Sequence, residues 1–154
     1  MRKTLLPLIL VLSALALTAG CSKSGISHAI DFKHTGCAGT RAGYLTDDEP
    51  SALILKYENG NLRVTRLNAF LNCSIKDRGL TCSACFKGNA IQYEVDYAKD
   101  GQDVRCTCQV IQITSLVTDL EEGKEYTLDY WEIGQKLGHF SFTFTQDLYA
   151  VLSI

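Results

Sequence analysis

Proline and histidine are scarce in this chain, and their scarcity already narrows its chemistry. There are two prolines, Pro7 and Pro50, and three histidines, His28, His34 and His139. No proline follows Pro50, so the cis-proline of thioredoxin-like folds has no candidate beside the later cysteines. The histidines are isolated, with no H-x-x-x-H or Glu-flanked pair of the kind a metalloprotease needs. A lone histidine at a strand edge reads as a solvated or hydrogen-bonded side chain rather than a ligand. The G-x-S-x-G elbow, the P-loop and the dinucleotide fingerprint are also missing. Asp47-Asp48-Glu49 clusters three carboxylates, but the spacing matches no calcium loop and reads as a solvated acidic turn. These absences argue against an enzyme and name no metal or cofactor.

Long apolar runs are confined to the first twenty residues. Arg2 and Lys3 form a positive start, Leu5 to Leu17 an apolar stretch, and Thr18-Ala19-Gly20 a run of small residues before Cys21. This three-part pattern is that of a secretory signal peptide over residues 1–20. The apolar stretch is shorter than the roughly 20 residues a membrane-spanning helix requires. Leu17-Thr18-Ala19-Gly20-Cys21 resembles a bacterial lipobox, with Thr18 where leucine is more usual. The resemblance implies that Cys21 becomes a lipid-modified N-terminus, a membrane anchor worth about 0.8 kcal/mol per buried methylene. Ser22 after the cysteine favours the outer membrane, and the lack of an acidic cluster there favours its periplasmic face. Residues 21–25 then form the lipidated cysteine and a polar tether, and residues 26–154 a single domain.

Basic charge is also in short supply. Two of the 15 basic residues fall in the signal peptide, leaving 13 against 17 acidic, a formal charge of −4 for the exported chain. That balance disfavours nucleic acid and anionic lipid surfaces as main partners.

What the exported chain does have is alternation. Leu53, Leu55 and Tyr57 alternate with polar neighbours, Asn59-Gly60 follows, and Leu62 and Val64 resume the pattern. Asn-Gly between two alternating runs is a strong hairpin signal. Phe70 to Ile75, Leu80 to Phe86 and Ile91 to Tyr97 read as further strands. Between Val104 and Val117 the apolar phase changes after Val110, which suggests a bulge or a bent strand. Tyr126 to Tyr130, Phe140 to Phe144 and Leu148 to Ile154 complete the series, with Gly134 and Gly138 flanking a short linker. No segment holds a 3.6-residue period. About eight or nine short strands at near-regular spacing point to an all-β antiparallel sandwich.

The cysteines decide the rest. Setting Cys21 aside leaves Cys37, Cys73, Cys82, Cys85, Cys106 and Cys108, an even number in an exported protein. A disulfide framework is the first reading, with 15 pairings open. Cys106 and Cys108 share a strand face, so each is expected to pair with an upstream cysteine, and Cys37 to staple its loop to the sheet. A four-thiolate zinc site from Cys82, Cys85, Cys106 and Cys108 is a second reading, weakened by the single residue between the last two. A thiol–disulfide catalyst at Cys82-Ser83-Ala84-Cys85 is a third, weakened by the strand-like context, since such cysteines sit at helix N-termini.

Among the aromatic residues, Tyr126, Tyr130, Phe140, Phe142 and Phe144 fit a core phase. Trp131 falls on the opposite phase and is the candidate exposed aromatic for a protein or glycan ligand.

Asn72-Cys73 at a strand end, Cys106-Thr107-Cys108, and Gly123-Lys124-Glu125-Tyr126 at a strand start together resemble small lipoproteins of Bacteroidetes. The likeness spans about residues 50–130, and Cys82 and Cys85 depart from it. It implies an immunoglobulin-like fold and no known activity. The reading is therefore a lipid-anchored, disulfide-stapled sandwich that binds or builds without catalysis; the alternative is an envelope thiol-redox or metal protein.

Overall fold

The computed structural model describes residues 26–38, 40–41 and 50–154, and the statements below concern these. The signal peptide, Cys21 and the Asp47-Asp48-Glu49 cluster lie outside them.

The first hairpin is closed by a turn whose residues leave little choice of geometry. Asn59 and Gly60 both take positive φ, 51° and 81°, as a two-residue type I′ turn requires. They join β3 (Ala52–Glu58) to β4 (Asn61–Asn72) in unbroken antiparallel register. β4 is the spine of a sheet ordered β1 (Ala29–His34), β7 (Thr107–Val117), β4, β3, β10 (Tyr149–Ser153), with the two-residue β2 (Thr40–Arg41) also on β7. The second sheet is ordered β5 (Leu80–Lys87), β6 (Ala90–Tyr97), β8 (Glu125–Glu132), β9 (Gln135–Thr143). The only helix among the described residues is the single turn α1 (Ile75–Arg78). The chain is an all-β sandwich.

Two details differ from the sequence expectation. β6 and β8 pair parallel, unlike the other strand pairs. The chain leaves the second sheet after β6, crosses to make β7 in the first, and returns as β8, and such a crossover brings a strand back in the same direction. The expected linker between Gly134 and Gly138 is instead part of β9. Gly134, with φ 71°, makes a tight turn that leaves Gln135 to Thr143 free to pair with β8.

The phase change in β7 is real, and it is matched across the ladder. Cys108 and Val110 point inward, Ile111 is 48% exposed, and Ile113, Ser115 and Val117 point inward again. Opposite them, Arg66 and Ala69 are both buried although three residues apart. Asn68, at φ 54°, lies between them. Both strands turn over at the same place, so the register carries on from Leu67↔Gln112 to Ala69↔Val110 without a slip.

Leu53, Leu55, Leu62 and Val64 from the first sheet meet Ile91, Val95 and Leu128 from the second in one core. Each such side chain contributes about 1.5–3 kcal/mol on burial. Polar groups also cross this core. Arg66 on β4 donates to Glu132 on β8 at 3.0 Å and to Ser51 Oγ at 2.5 Å. Tyr130 donates to the same Glu132 oxygen at 2.9 Å, Tyr93 stacks on Tyr130, and the Tyr93 hydroxyl meets Ser115 Oγ at 2.8 Å. Arg66 and Glu132 are 6% and 8% exposed, so the pair is dry.

Removing one partner of a dry ion pair leaves a buried charge uncompensated, whereas an apolar replacement of both is nearly neutral. Glu132→Gln is expected to lower unfolding free energy by about 3–5 kcal/mol, and the double change Arg66→Met with Glu132→Leu to restore most of it. Urea denaturation of the three proteins measures both.

Candidate functional site

Four of the cysteines are held in two disulfides. Cys73 and Cys106 lie directly across the β4–β7 ladder, one residue beyond its last pair, with Cα atoms 5.5 Å apart and Cys73 N–H donating to Cys106 C=O. They form a disulfide. Cys108 bonds to Cys37, whose Cα is 5.6 Å away and whose loop is also held by Ala38 N–H on Gln109 C=O. Cys106 and Cys108 thus each pair with an upstream cysteine, and Cys37 staples its loop to the sheet. Bridges spanning 33 and 71 residues are each worth about 2–4 kcal/mol.

Cys82 is the correction: it is a free thiol. Residues 82 and 85 are three apart on a strand, so they face opposite sides of the sheet. Cys85 sits opposite Gln92 on the outer face, while Cys82 sits opposite Val95 on the inner one. There it meets Ser115 Oγ at 3.7 Å, and no second sulfur of the described residues is free to pair with it. Burial pushes its thiol up, against hydrogen bonds from Tyr93 and Ser115 that pull it down. Cys82, Cys85, Cys106 and Cys108 therefore do not converge, and no group of three or more metal-ligating side chains occurs among the described residues.

Trp131 projects from β8 on the outer face, as its phase predicts, but it is half-buried rather than exposed. β8 is an interior strand, and Glu94 on β6 and Lys136 on β9 stand on either side of the ring. Its Nε1 is enclosed and has no hydrogen-bond partner. Next along this face, Asp129 takes Lys136 and His139 at 2.6 Å each. Tyr126, Tyr130 and Phe144 are buried, and Phe140 and Phe142 partly so. The histidines are hydrogen-bonded side chains: His28 to Asp119, His139 to Asp129, and His34 accepting from Gly36 N–H.

A second candidate site lies at one end of the sandwich, where residue patterns did not point. Two adjoining open depressions of about 500 and 270 Å³ share Tyr97, Asp103 and Ile133 as walls, the larger within the size range of small-ligand sites. Asn72 builds this end by accepting from Val104 and Ser74 N–H and donating to Val104 C=O. It ties the β6–β7 loop to the end of β4 beside the Cys73–Cys106 bridge. Arg78 lies 3.5 Å over the Tyr97 ring, donates to Lys99 C=O, and pairs with Asp103 at 3.0 Å. Ile133 takes φ 47° in the β8–β9 turn, a position where a β-branched residue is strained by about 1–3 kcal/mol. Its side chain packs against the core cluster and faces both depressions. The signals available in sequence were Asn72 before a cysteine and isoleucine, not asparagine, before the turn glycine.

No protein family, curated protein or solved structure matches this chain.

Two measurements follow from these environments. Cys82 is expected to resist alkylation in the native protein and to become alkylated in denaturant without reductant, as read by mapping the peptide that contains it. Desolvation works to raise the Asp129 carboxyl, yet Lys136 and His139 together hold it below its ordinary 3.8. A depressed native pKa gives stability that is present above the unfolded value and lost as pH falls through the native one. The stability difference between wild type and Asp129→Asn is therefore expected in full at neutral pH, should begin to shrink near pH 4, and should be gone once the pH lies below the depressed native value.

Proposed function

We propose that this chain is a lipid-anchored component of the bacterial cell envelope that binds a partner or ligand without catalysis. In this reading Cys21 carries the lipid, the domain faces the periplasm from the outer membrane, and the protein belongs with the small Bacteroidetes lipoproteins it resembles. Ligand binding falls to the end groove walled by Tyr97, Asp103 and Ile133. The observation that carries the reading is Ile133. A fold that needed only a tight turn there would be better served by asparagine, so the strain is the cost of holding an apolar side chain at the wall of both depressions.

The thiol-redox or metal reading draws no support from the geometry, because its four cysteines are split between bridges and opposite sheet faces.

Labelled palmitate should enter the wild-type chain and not Cys21→Ala, and the variant should leave the membrane fraction. A photo-crosslinker replacing Gln135 at the groove should give a discrete adduct in intact cells. The same group replacing Gln112, exposed on β7, should not. Ile133→Asn keeps the turn and removes the apolar wall, so it should abolish the adduct while the protein stays folded. A wild-type chain without label, or adducts indifferent to Ile133, would refute the two halves of the proposal separately.

A further inference from the structure

Open sheets need protected edges, and three of the four edges here have protection. β1 carries Asp31 and Lys33 and a register shift between Ile30 and Lys33. β5 is met by the chain entering β1, where His28 N–H donates to Ala84 C=O. β9 carries Lys136 and His139 and a register shift opposite Tyr130 and Trp131. Among the described residues, β10 has none of these devices. Its five residues, Tyr149-Ala150-Val151-Leu152-Ser153, include no charge, no proline and no glycine, and its pairing with β3 is regular.

The hydrogen-bond phase of β10 can be read directly. Leu148 C=O accepts from Tyr57 N–H, and Ile154 N–H donates to Ser51 C=O. In an antiparallel ladder bonded and non-bonded pairs alternate, so Ala150 and Leu152 are also bonded to β3. Tyr149, Val151 and Ser153 then direct their N–H and C=O groups to the open edge. Two of these three carry large exposed side chains, Tyr149 at 64% and Val151 at 58%.

We propose that β10 is a dimerisation strand that pairs antiparallel with β10 of a second copy about a two-fold axis through Val151. That register sets Val151 against the second copy's Val151, Tyr149 against its Ser153, and Ala150 against its Leu152. Each of the three outward-facing residues exchanges both of its backbone hydrogen bonds, so no edge donor or acceptor is left over. On one face Ala150 opposes Leu152; on the other Tyr149 opposes Ser153, and Val151 meets its own copy at the axis. The nearest basic neighbour, Lys56 beside Tyr149 on β3, stays at least three strand spacings, about 14 Å, from its copy. That exceeds the screening length of about 10 Å, so the two-fold brings no like charges together. The result is one continuous sheet running through both subunits.

The test uses the full-length protein solubilised in detergent. Sedimentation should give two chains per particle at high micromolar concentration, and Val151→Lys should give one, with an unchanged thermal transition. Ile111→Lys, at another exposed apolar position on the first sheet, should remain dimeric. Amide exchange provides a second readout that does not depend on a variant folding. Protection at Tyr149, Val151 and Ser153 should fall on dilution, while that at Ala150 and Leu152 should not. A photo-crosslinker at Tyr149 should yield the self-adduct. A monomeric wild type, concentration-independent exchange at all five positions, a Val151→Lys dimer, or an adduct solely with another protein would each overturn the proposal.

Discussion

The central constraint of this molecule is the antiparallel ladder between β4 and β7. It is the longest strand pairing and the one to which other features are attached. It presents Arg66 to Glu132 and Ser115 to Tyr93 and Cys82, so these polar crossings between the sheets start from it. Both described bridges sit at its far end, Cys73–Cys106 across it and Cys37–Cys108 from its flank. The ladder can serve both ends because it turns over once, between Arg66 and Ala69 on one strand and between Val110 and Ile113 on the other. Without that turn, either the bridged cysteines or Ser115 would face solvent.

The polar chain through the core bears on specificity more than on net stability. A dry ion pair costs desolvation that its attraction roughly repays, and a stacked tyrosine pair adds only about 0.5–1.5 kcal/mol. What these contacts supply is position. Sheets joined only by leucine and valine can slide against each other at little cost, whereas the Arg66–Glu132–Tyr130 contact has one geometry. Burial raises the hydroxyl pKa of Tyr93 and Tyr130 well above the ordinary value, so both remain donors throughout the physiological range. Cys82 packs at the edge of this network as a small, protonated side chain.

Rigidity is concentrated where the candidate groove lies. The Cys73–Cys106 bridge, the Asn72 contacts to the β6–β7 loop and the Arg78 stack on Tyr97 converge on one end of the sandwich. A loop that would otherwise be held by few contacts becomes a fixed wall. Ile133 closes the opposite side from a turn whose geometry opposes it. The outer face of the second sheet is different in kind: Trp131 is hemmed by its strand neighbours, and the Asp129 cluster beside it is satisfied within itself.

Much of the fold was legible in the residues. Alternation gave the strands because side chains on a pleated backbone face opposite sides in turn, and Asn59-Gly60 gave the first hairpin because few residue pairs accept positive φ twice. The phase break after Val110 announced the turned-over ladder, although its partner at Asn68 needed the pairing to be seen. The upstream pairing of Cys106 and Cys108 followed from their shared face. Other features depended on contacts between residues far apart in sequence. Which sulfurs met, and that Cys82 met none, turned on which face of β5 each occupied and what stood across the sandwich. The parallel β6–β8 pair followed from a crossover that no local pattern encodes. The groove joins strand ends, loops and turns from four parts of the chain, so only their packing could bring Asn72, Arg78, Tyr97 and Ile133 to one place.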